Sequence, residues 1–345
     1  MERVLVTGGS GFVASHCLVR LLEQGYEVVT TVRSLAKADE VRQLLRVGGV
    51  DEKAIAGVSF VEADLTSDKN WSEAVRGCAY VLHVASPIFL VLPQDENEMI
   101  RPAVDGALRV LRAARDGGVK RVVMTSNFGA VGYSHKDRTR QITEESWTNP
   151  DEPGLSSYNK SKVMAERAAW DFMAREGGSL ELAVTNPTAV FGPALNGVLS
   201  SSFGLLKALL QGMKSIPDMT MNVVDVRDLA DLHLAAMLHP RAAGQRFLGL
   251  AGGSISLIEI AKLIRRERPQ LARRTPDKPL ATWALRVAAL FSRQARSILP
   301  MVGIYRDTSN AKARTVLGWN PNYSNEQAVL AAVDSMERWG HLKTE

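Results

Sequence analysis

A short apolar run, Val4-Leu5-Val6, leads straight into Thr7-Gly8-Gly9-Ser10-Gly11-Phe12-Val13-Ala14. Few architectures use that succession. A buried strand ends, the chain turns on residues that lack side chains, and an amphipathic stretch over 11–24 opens a helix. Read from Gly9 the turn is G-x-G-x-x-A, and read from Thr7 it is T-G-x-x-G-x-x-A. Glycines there allow a tight turn and let backbone N–H groups approach a bound group, while the helix N-terminus adds partial positive charge. Ala14 stands where a small residue lets helix and strand pack closely. The turn therefore predicts the first unit of a parallel sheet, with a pyrophosphate held by Thr7, Gly8, Ser10, Gly11, Phe12 and Val13.

The following residues keep the rhythm such a sheet requires. Apolar, β-branched runs at 4–7, 27–32, 58–62, 80–84, 121–125 and 182–186 read as strands, several buried on both faces. Helical patterns at 11–24, 36–45, 71–76, 97–116 and 157–175 alternate with them. Strict alternation predicts an α/β fold, a Rossmann-type doubly wound parallel sheet. After Pro193 the rhythm changes. One helix is expected near 203–211, short strands at 223–226 and 245–251, a helix at 229–238, and mostly helix over 255–300. With 345 residues, 46% of them hydrophobic, the chain can build one large domain and a smaller lobe. The expected division is 1–193 for the dinucleotide-binding domain, with 223–251 and about 311–345 returning to it. Segments 194–222 and 252–310 then form a smaller, mostly helical substrate lobe.

Composition narrows the class. Two cysteines, Cys17 and Cys78, make no disulfide framework, and the start has no leader-like region. No apolar run reaches the roughly 20 residues of a membrane span, because Arg286 breaks the best candidate. A cytoplasmic protein with no membrane partner is expected. The net charge of +5 is local: residues 262–314 hold 13 Lys/Arg and 3 Asp/Glu, or +10, leaving −5 elsewhere. That reads as a solvated basic face, with no nucleic-acid signature. The six histidines are scattered, so no metal site is expected, and His83 reads as buried structure.

The second strand addresses the choice of dinucleotide. A 2′-hydroxyl calls for Asp or Glu near the strand end. Here the run is Val28-Val29-Thr30-Thr31-Val32-Arg33, with Lys37 four residues on. A guanidinium suits a 2′-phosphate, which points to NADP(H), with Arg33 and Lys37 as phosphate ligands or else as ordinary surface cations. The third and fourth strands end in Ala63-Asp64-Leu65 and His83-Val84-Ala85-Ser86-Pro87. Asp64 could accept from the adenine amino group or cap the next helix. Leu65, Val84, Ala85, Ser86 and, on the fifth strand, Thr125 are expected along the same cofactor.

Tyr158-Asn159-Lys160-Ser161-Lys162 opens a helix, and Tyr158 and Lys162 share a face at i, i+4. A phenol is a poor acid at neutral pH, and a nearby ammonium favours its phenolate and eases proton transfer. The same lysine can hold ribose hydroxyls. Tyr158 is thus expected to give a proton to a carbonyl oxygen as hydride reaches the carbon.

These motifs together resemble the extended short-chain dehydrogenase/reductases of the NAD-dependent epimerase/dehydratase superfamily. Most similar is the branch of dihydroflavonol reductases, cinnamoyl-CoA reductases and microbial aldehyde and ketone reductases. The likeness continues in Asn186-Pro187-Thr188-Ala189-Val190-Phe191-Gly192-Pro193, in Val224-Asp225-Val226-Arg227-Asp228-Leu229-Ala230 and in Leu317-Gly318-Trp319-Asn320-Pro321. The resemblance implies Tyr158 as proton donor, Lys162 as its activator and ribose clamp, and Pro187 and Val190 beside the nicotinamide. It also implies a catalytic serine, usually the second of T-S-S. Here Thr125-Ser126-Asn127-Phe128-Gly129 places Asn127 there, and strand alternation aims Ser126 to the opposite face. The Asn127 amide can still donate to a carbonyl.

Phe89, Phe128, Tyr133 and Phe203 are candidate walls of a hydrophobic substrate pocket, or plain packing. Arg286, Arg293 and Arg296 could meet an acidic substrate or form the wet stripe of a helix. The N-W-x-x-Y-x-K stretch of cinnamoyl-CoA reductases is absent, which argues against a CoA thioester. The expectation is an NADPH-dependent reductase of a hydrophobic aldehyde or ketone. The alternatives are an NAD-dependent nucleotide-sugar epimerase or dehydratase and a non-catalytic NADP(H)-sensing protein. A homodimer through 97–116 and 157–175 is a further expectation.

Overall fold

The computed structural model describes residues 2–87, 95–135, 137, 139–200 and 202–342. Its first half runs β1 (Arg3–Val6), α1 (Phe12–Glu23), β2 (Glu27–Val32), α2 (Ala38–Val47), α3 (Glu52–Ala56), β3 (Ser59–Glu62), α4 (Trp71–Ala74), β4 (Tyr80–His83), α5 (Asn97–Asp116), β5 (Arg121–Thr125) and α6 (Ser157–Glu176). Then follow β6 (Glu181–Pro187), β7 (Ala189–Phe191), α7 (Phe203–Leu210), β8 (Thr220–Met221), β9 (Val223–Asp225), α8 (Val226–Leu238) and β10 (Gln245–Gly249). The chain continues through β11 (Ile255–Ser256), α9 (Leu257–Glu267), α10 (Thr282–Phe291), α11 (Arg293–Ile298), α12 (Ala311–Leu317) and α13 (Asn325–Arg338).

Seven strands form one sheet in the order β10-β6-β5-β4-β1-β2-β3, every pair parallel. The strands are apolar on both faces because helices cover both. Val4 and Val6 face a core with α1, α2 and α8, and Leu5 between them faces a second core with α5 and α6. Val123 of β5 and its neighbours Val122 and Met124 divide in the same way. The order turns back between β1 and β4, so the carboxyl ends of these strands diverge into a crevice, the usual ligand site of such sheets.

A third core joins α7, α9 and α13 with the ladder of β7 and β9: Phe191, Phe203, Leu206, Val223, Ile260, Ile264, Val329 and Met336 pack there. By contrast Ala313 of α12 and Trp319 pack on the first core, where the Trp319 indole donates to the Asp228 carbonyl at 2.9 Å. α10 and α11 bury only a small core of their own around Leu285, Ala289 and Ala295.

The elements after Pro193 differ in detail from the sequence reading. The helix expected at 229–238 starts at Val226, because the Asp225 carboxylate caps it by accepting from the Arg227 amide at 2.9 Å. The helix at Asn325–Arg338 had no counterpart in the expectation, although Ser324 and Gln327 form a capping box at its start.

Candidate active site

The turn after β1 is held by backbone and hydroxyls. Gly8 sits at φ +72°, a conformation only glycine adopts without strain, and its amide donates to Thr31 Oγ1 at 2.9 Å. A Cβ on Gly9 would lie 2.3 Å from Thr30 Oγ1, so the turn presses directly on β2. Gly11 caps α1 and offers no side chain to its first amides, and no acidic residue stands in the first turn. Gly8 and Ser10 to Val13 stay partly open to solvent. This is a cradle for an anion: glycine-lined, positive through the helix N-terminus, and free of any competing side-chain cap.

Thr7 Oγ1 accepts from the amides of Val84 and Ala85 at 3.1 and 2.9 Å. Its hydrogen is thereby directed to His83 Nδ1, 3.0 Å away. One hydroxyl thus locks the ends of β1 and β4 together. Burial, with a smaller contribution from the Lys162 charge, lowers the His83 pKa to about 3, so the ring stays neutral and acts as acceptor.

At the end of β2, Arg33 is exposed and has no hydrogen bond or ion pair with any described residue. Its guanidinium is available to a ligand phosphate. Lys37 is instead engaged with Glu40 at 3.4 Å. Asp64 Oδ1 accepts from the hydroxyl and the amide of Thr66 at 2.6 and 2.8 Å, contacts that lower its pKa and make it a turn cap. The Leu65 carbonyl accepts from Arg109 at 2.7 Å.

Ser156 caps α6 by accepting from the Asn159 amide at 3.2 Å. That start places Tyr158 at the surface, 42% exposed, and Lys162 in the wall below it. Lys162 Nζ lies 5.9 Å from the Tyr158 ring centre and donates to Ser86 Oγ at 3.0 Å. The pair therefore stands at the carboxyl end of β4, next to the glycine turn. Asn127 is brought to the same corner. The amide oxygens of Asn127 and of Asn159, in the first turn of α6, both crowd the space where a Cβ on Gly129 would stand. Asn127 Oδ1 is buried without a partner, as is Ser126 Oγ.

Behind this corner lies a network that the sequence reading did not find. Glu166, fully buried, is on the α6 face of Tyr158 and Lys162 one turn further on. Its Oε1 accepts from Arg246 Nε at 2.5 Å and its Oε2 from Asn186 Nδ2 at 2.8 Å. The same Asn186 nitrogen donates to the Asn127 carbonyl at 3.3 Å. Arg246 also donates to the carbonyls of Glu144 and Ser146 at 2.8 and 2.9 Å and lies on the Trp147 ring. The spacing Tyr158, Lys162, Glu166 was the available signal. On the other face of the sheet, His233 donates from Nδ1 to the Leu229 carbonyl at 2.7 Å. Its Nε2 accepts from Thr125 and Thr185 at 2.7 and 3.0 Å. The Thr125 hydroxyl, expected at the cofactor, is thus turned away from the crevice and committed to α8.

The remaining candidates divide. Pro187 ends β6 and Val190 lies in the β7 ladder, both buried. Phe203 does not line a pocket. It is fully buried, with ring centres 5.4 Å from Phe12 and 6.1 Å from Phe191, a core position. Phe128 packs at 6.0 Å on Tyr133. Tyr133, Leu155, Asn159, Met301, Ile304 and Arg306 line a cavity of about 430 Å³ beside the α6 N-terminus. Arg296 caps α10 by donating to the carbonyls of Ala289 and Leu290 at 3.1 and 3.3 Å, and its side chain stays at the surface. Phe89 and the side chain of Arg293 lie outside the described residues. No cluster that could hold a metal occurs among the described residues.

The model of the NAD dependent epimerase/dehydratase family matches residues 4–248. A cinnamoyl-CoA reductase of Medicago truncatula is 33% identical over 280 residues, 80% of this chain and 83% of that protein. A putative NADPH-dependent methylglyoxal reductase of Candida albicans is 34% identical over 296 residues, 79% of this chain and 85% of that one. The crystal structure of Gre2 from Candida albicans in complex with NADPH superposes with a TM-score of 0.80 at 28% identity, covering 98% of this chain and 99% of that one.

Proposed function

This chain belongs to the NAD dependent epimerase/dehydratase family, as an extended short-chain dehydrogenase/reductase and an NADP(H)-dependent oxidoreductase, and we propose that it reduces a hydrophobic aldehyde or ketone. The observation that carries the reading is the placement of Tyr158 and Lys162. One helix face brings a phenol and an ammonium to the end of β4, with the ammonium on Ser86 and the glycine turn alongside.

The residues present fit the dinucleotide. The cradle at Gly8 to Val13 would hold its pyrophosphate, Arg33 its 2′-phosphate, and the free Oδ2 of Asp64 its adenine amino group. Lys37, Leu65, Val84, Ala85, Ser86, Pro187 and Val190 would line its path. NADPH, when bound, supplies the hydride. The chain's own residues manage the proton. Tyr158 gives its phenolic proton to the carbonyl oxygen, so the carbonyl is reduced to an alcohol. Lys162 stabilises the phenolate left behind. The Asn127 amide, its oxygen unpaired and its backbone held by Asn186, donates a hydrogen bond to the same oxygen. Phe128 and Tyr133 supply the aromatic wall that favours an apolar substrate.

The missing acid at the end of β2 and the exposed Arg33 favour a reductase over an NAD-dependent epimerase. A cytoplasmic location and a homodimer through α5 and α6 belong to the same reading, the latter open to light scattering. NADPH absorbance followed against aromatic and aliphatic aldehydes, ketones and diketones tests it. NADPH loss with alcohol formation is the expected result. Conversion of a sugar nucleotide without net NADPH loss, or NADPH binding with no turnover across the panel, overturns it.

A further inference from the structure

α10 presents an apolar face to solvent. Leu285 and Ala289 turn inward onto Ala295, Ile298 and Leu299. On the outer side Trp283 is 71% exposed, Val287 51%, Leu290 69% and Phe291 87%. These four fall at i, i+4, i+7 and i+8, so they form one stripe along the helix. Scattered exposed apolar residues are ordinary, but four large ones in one stripe are not.

The segment that carries the stripe has charge of one sign. Residues 278–306 contain Lys278, Arg286, Arg293, Arg296 and Arg306 and no Asp or Glu. Arg286 is exposed within the helix, and Arg296 fixes its guanidinium at the carbonyl end, next to Leu290 and Phe291. Aromatic and aliphatic side chains projecting from a helix bordered by cations match the interface of an anionic bilayer. A second copy of this chain fits less well, because a two-fold contact along the stripe would bring Arg286 and Arg296 toward their own copies. No described helix is long and apolar enough to cross a membrane, so the contact is peripheral.

We infer that the exposed face of α10 docks this protein on an anionic membrane surface, with Trp283, Leu290 and Phe291 entering the interface and Arg286 and Arg296 meeting lipid phosphates. The expectation of no membrane partner rested on the lack of a spanning segment, and a peripheral contact of this kind goes beyond it. Beyond α11 the chain runs through Met301 and Ile304 into the wall of the cavity beside α6, so docking brings that cavity's wall toward a phase in which apolar carbonyl compounds accumulate.

The test is co-sedimentation of the full chain with phosphatidylcholine vesicles, with and without phosphatidylglycerol, at low and high salt. Wild type is expected to bind the anionic vesicles, to leave them at high salt, and to ignore pure phosphatidylcholine. The double variant Trp283→Ser/Phe291→Ser is expected to lose about tenfold or more in vesicle partition, and Arg286→Ser a smaller factor. Both should keep NADPH turnover of a water-soluble carbonyl, which also shows that they are folded. Equal partition of wild type and double variant overturns the inference, as does equal binding to both vesicle types. A dimer in light scattering that the double variant abolishes, without vesicle binding by wild type, assigns the face to a second copy and overturns it too.

Discussion

The glycine turn and the Asn127 corner stand at carboxyl ends of the same sheet and are built by opposite means. At the turn, shape comes from backbone and from the absence of side chains. Gly8 takes a positive φ, Gly9 leaves no space for a Cβ against Thr30, and no ion pair is buried there. At the corner, shape comes from side chains. Glu166, Asn186 and Arg246 arrive from three separate elements and meet out of water behind Asn127. The turn is set by what is missing and the corner by what is paired, so the two should fail differently when altered.

The largest effect is expected where the corner meets the substrate. Tyr158→Phe removes one oxygen from a half-exposed ring and should lower kcat by about 10²- to 10⁴-fold while leaving NADPH affinity nearly unchanged. Asn127→Ala should cost about 10²- to 10³-fold in kcat, and Asn127→Ser should recover most of it, since a hydroxyl can still donate. Steady-state kinetics with direct NADPH titration separates the two quantities. A Tyr158→Phe enzyme with near-normal kcat would remove the proton donor from the scheme.

Next comes the network itself. Glu166→Ala leaves the Arg246 guanidinium buried and unpaired, and breaking such a pair costs about 3–5 kcal/mol. Urea unfolding should show that loss. The double variant Glu166→Ala/Arg246→Ala should lose less than the sum of the single changes, because no charge is then stranded. Strict additivity would mean that the pair does not hold the corner.

A smaller and more selective effect belongs to the turn's end of the crevice. Arg33→Asp should weaken NADPH binding by about 10- to 100-fold, the range of a hydrogen bond to a charged group, and leave NADH binding almost untouched. Equal weakening of both would take the 2′-phosphate away from Arg33.

The same contrast explains what the sequence revealed. The turn occupies eight consecutive residues, and its glycines work through local backbone, so a linear reading finds it. Tyr158 and Lys162 are also close in sequence. Glu166 lies on the same helical spacing but could be recognised only once Arg246, 80 residues away, was seen to reach it. Thr125 looked equivalent to the other strand ends until the register showed which face its hydroxyl takes. Phe203 was judged by residue type, and type alone cannot separate a pocket wall from a core ring. The helix at Asn325–Arg338 carried a readable cap, yet its apolar face has meaning only in the core it shares with α7, α9, β7 and β9.

The two regions do share one device, and it gives the smallest effect. A neutral buried histidine ties the strands behind each: His83 bonds the end of β1 beside β4, and His233, from the opposite face of the sheet, bonds β5 and β6, which lead to Asn127 and carry Asn186. Burial lowers the pKa of His83 to about 3 and that of His233 to about 4, below the 6.5 of an unfolded chain. Between those values the unfolded chain binds a proton that the folded one refuses. Stability should therefore be full near pH 7 and fall as pH drops below 6.5, by about 1.4 kcal/mol per pH unit for each histidine. From pH 7 to 5.5 each accounts for about 1 kcal/mol of the loss. His233→Gln and His83→Gln should each flatten urea-derived stability over that range by this amount. The functional cost should split, with His83→Gln weakening NADPH binding and His233→Gln lowering kcat. If either variant impaired both functions alike, the turn and the corner would be one mechanical unit instead of two.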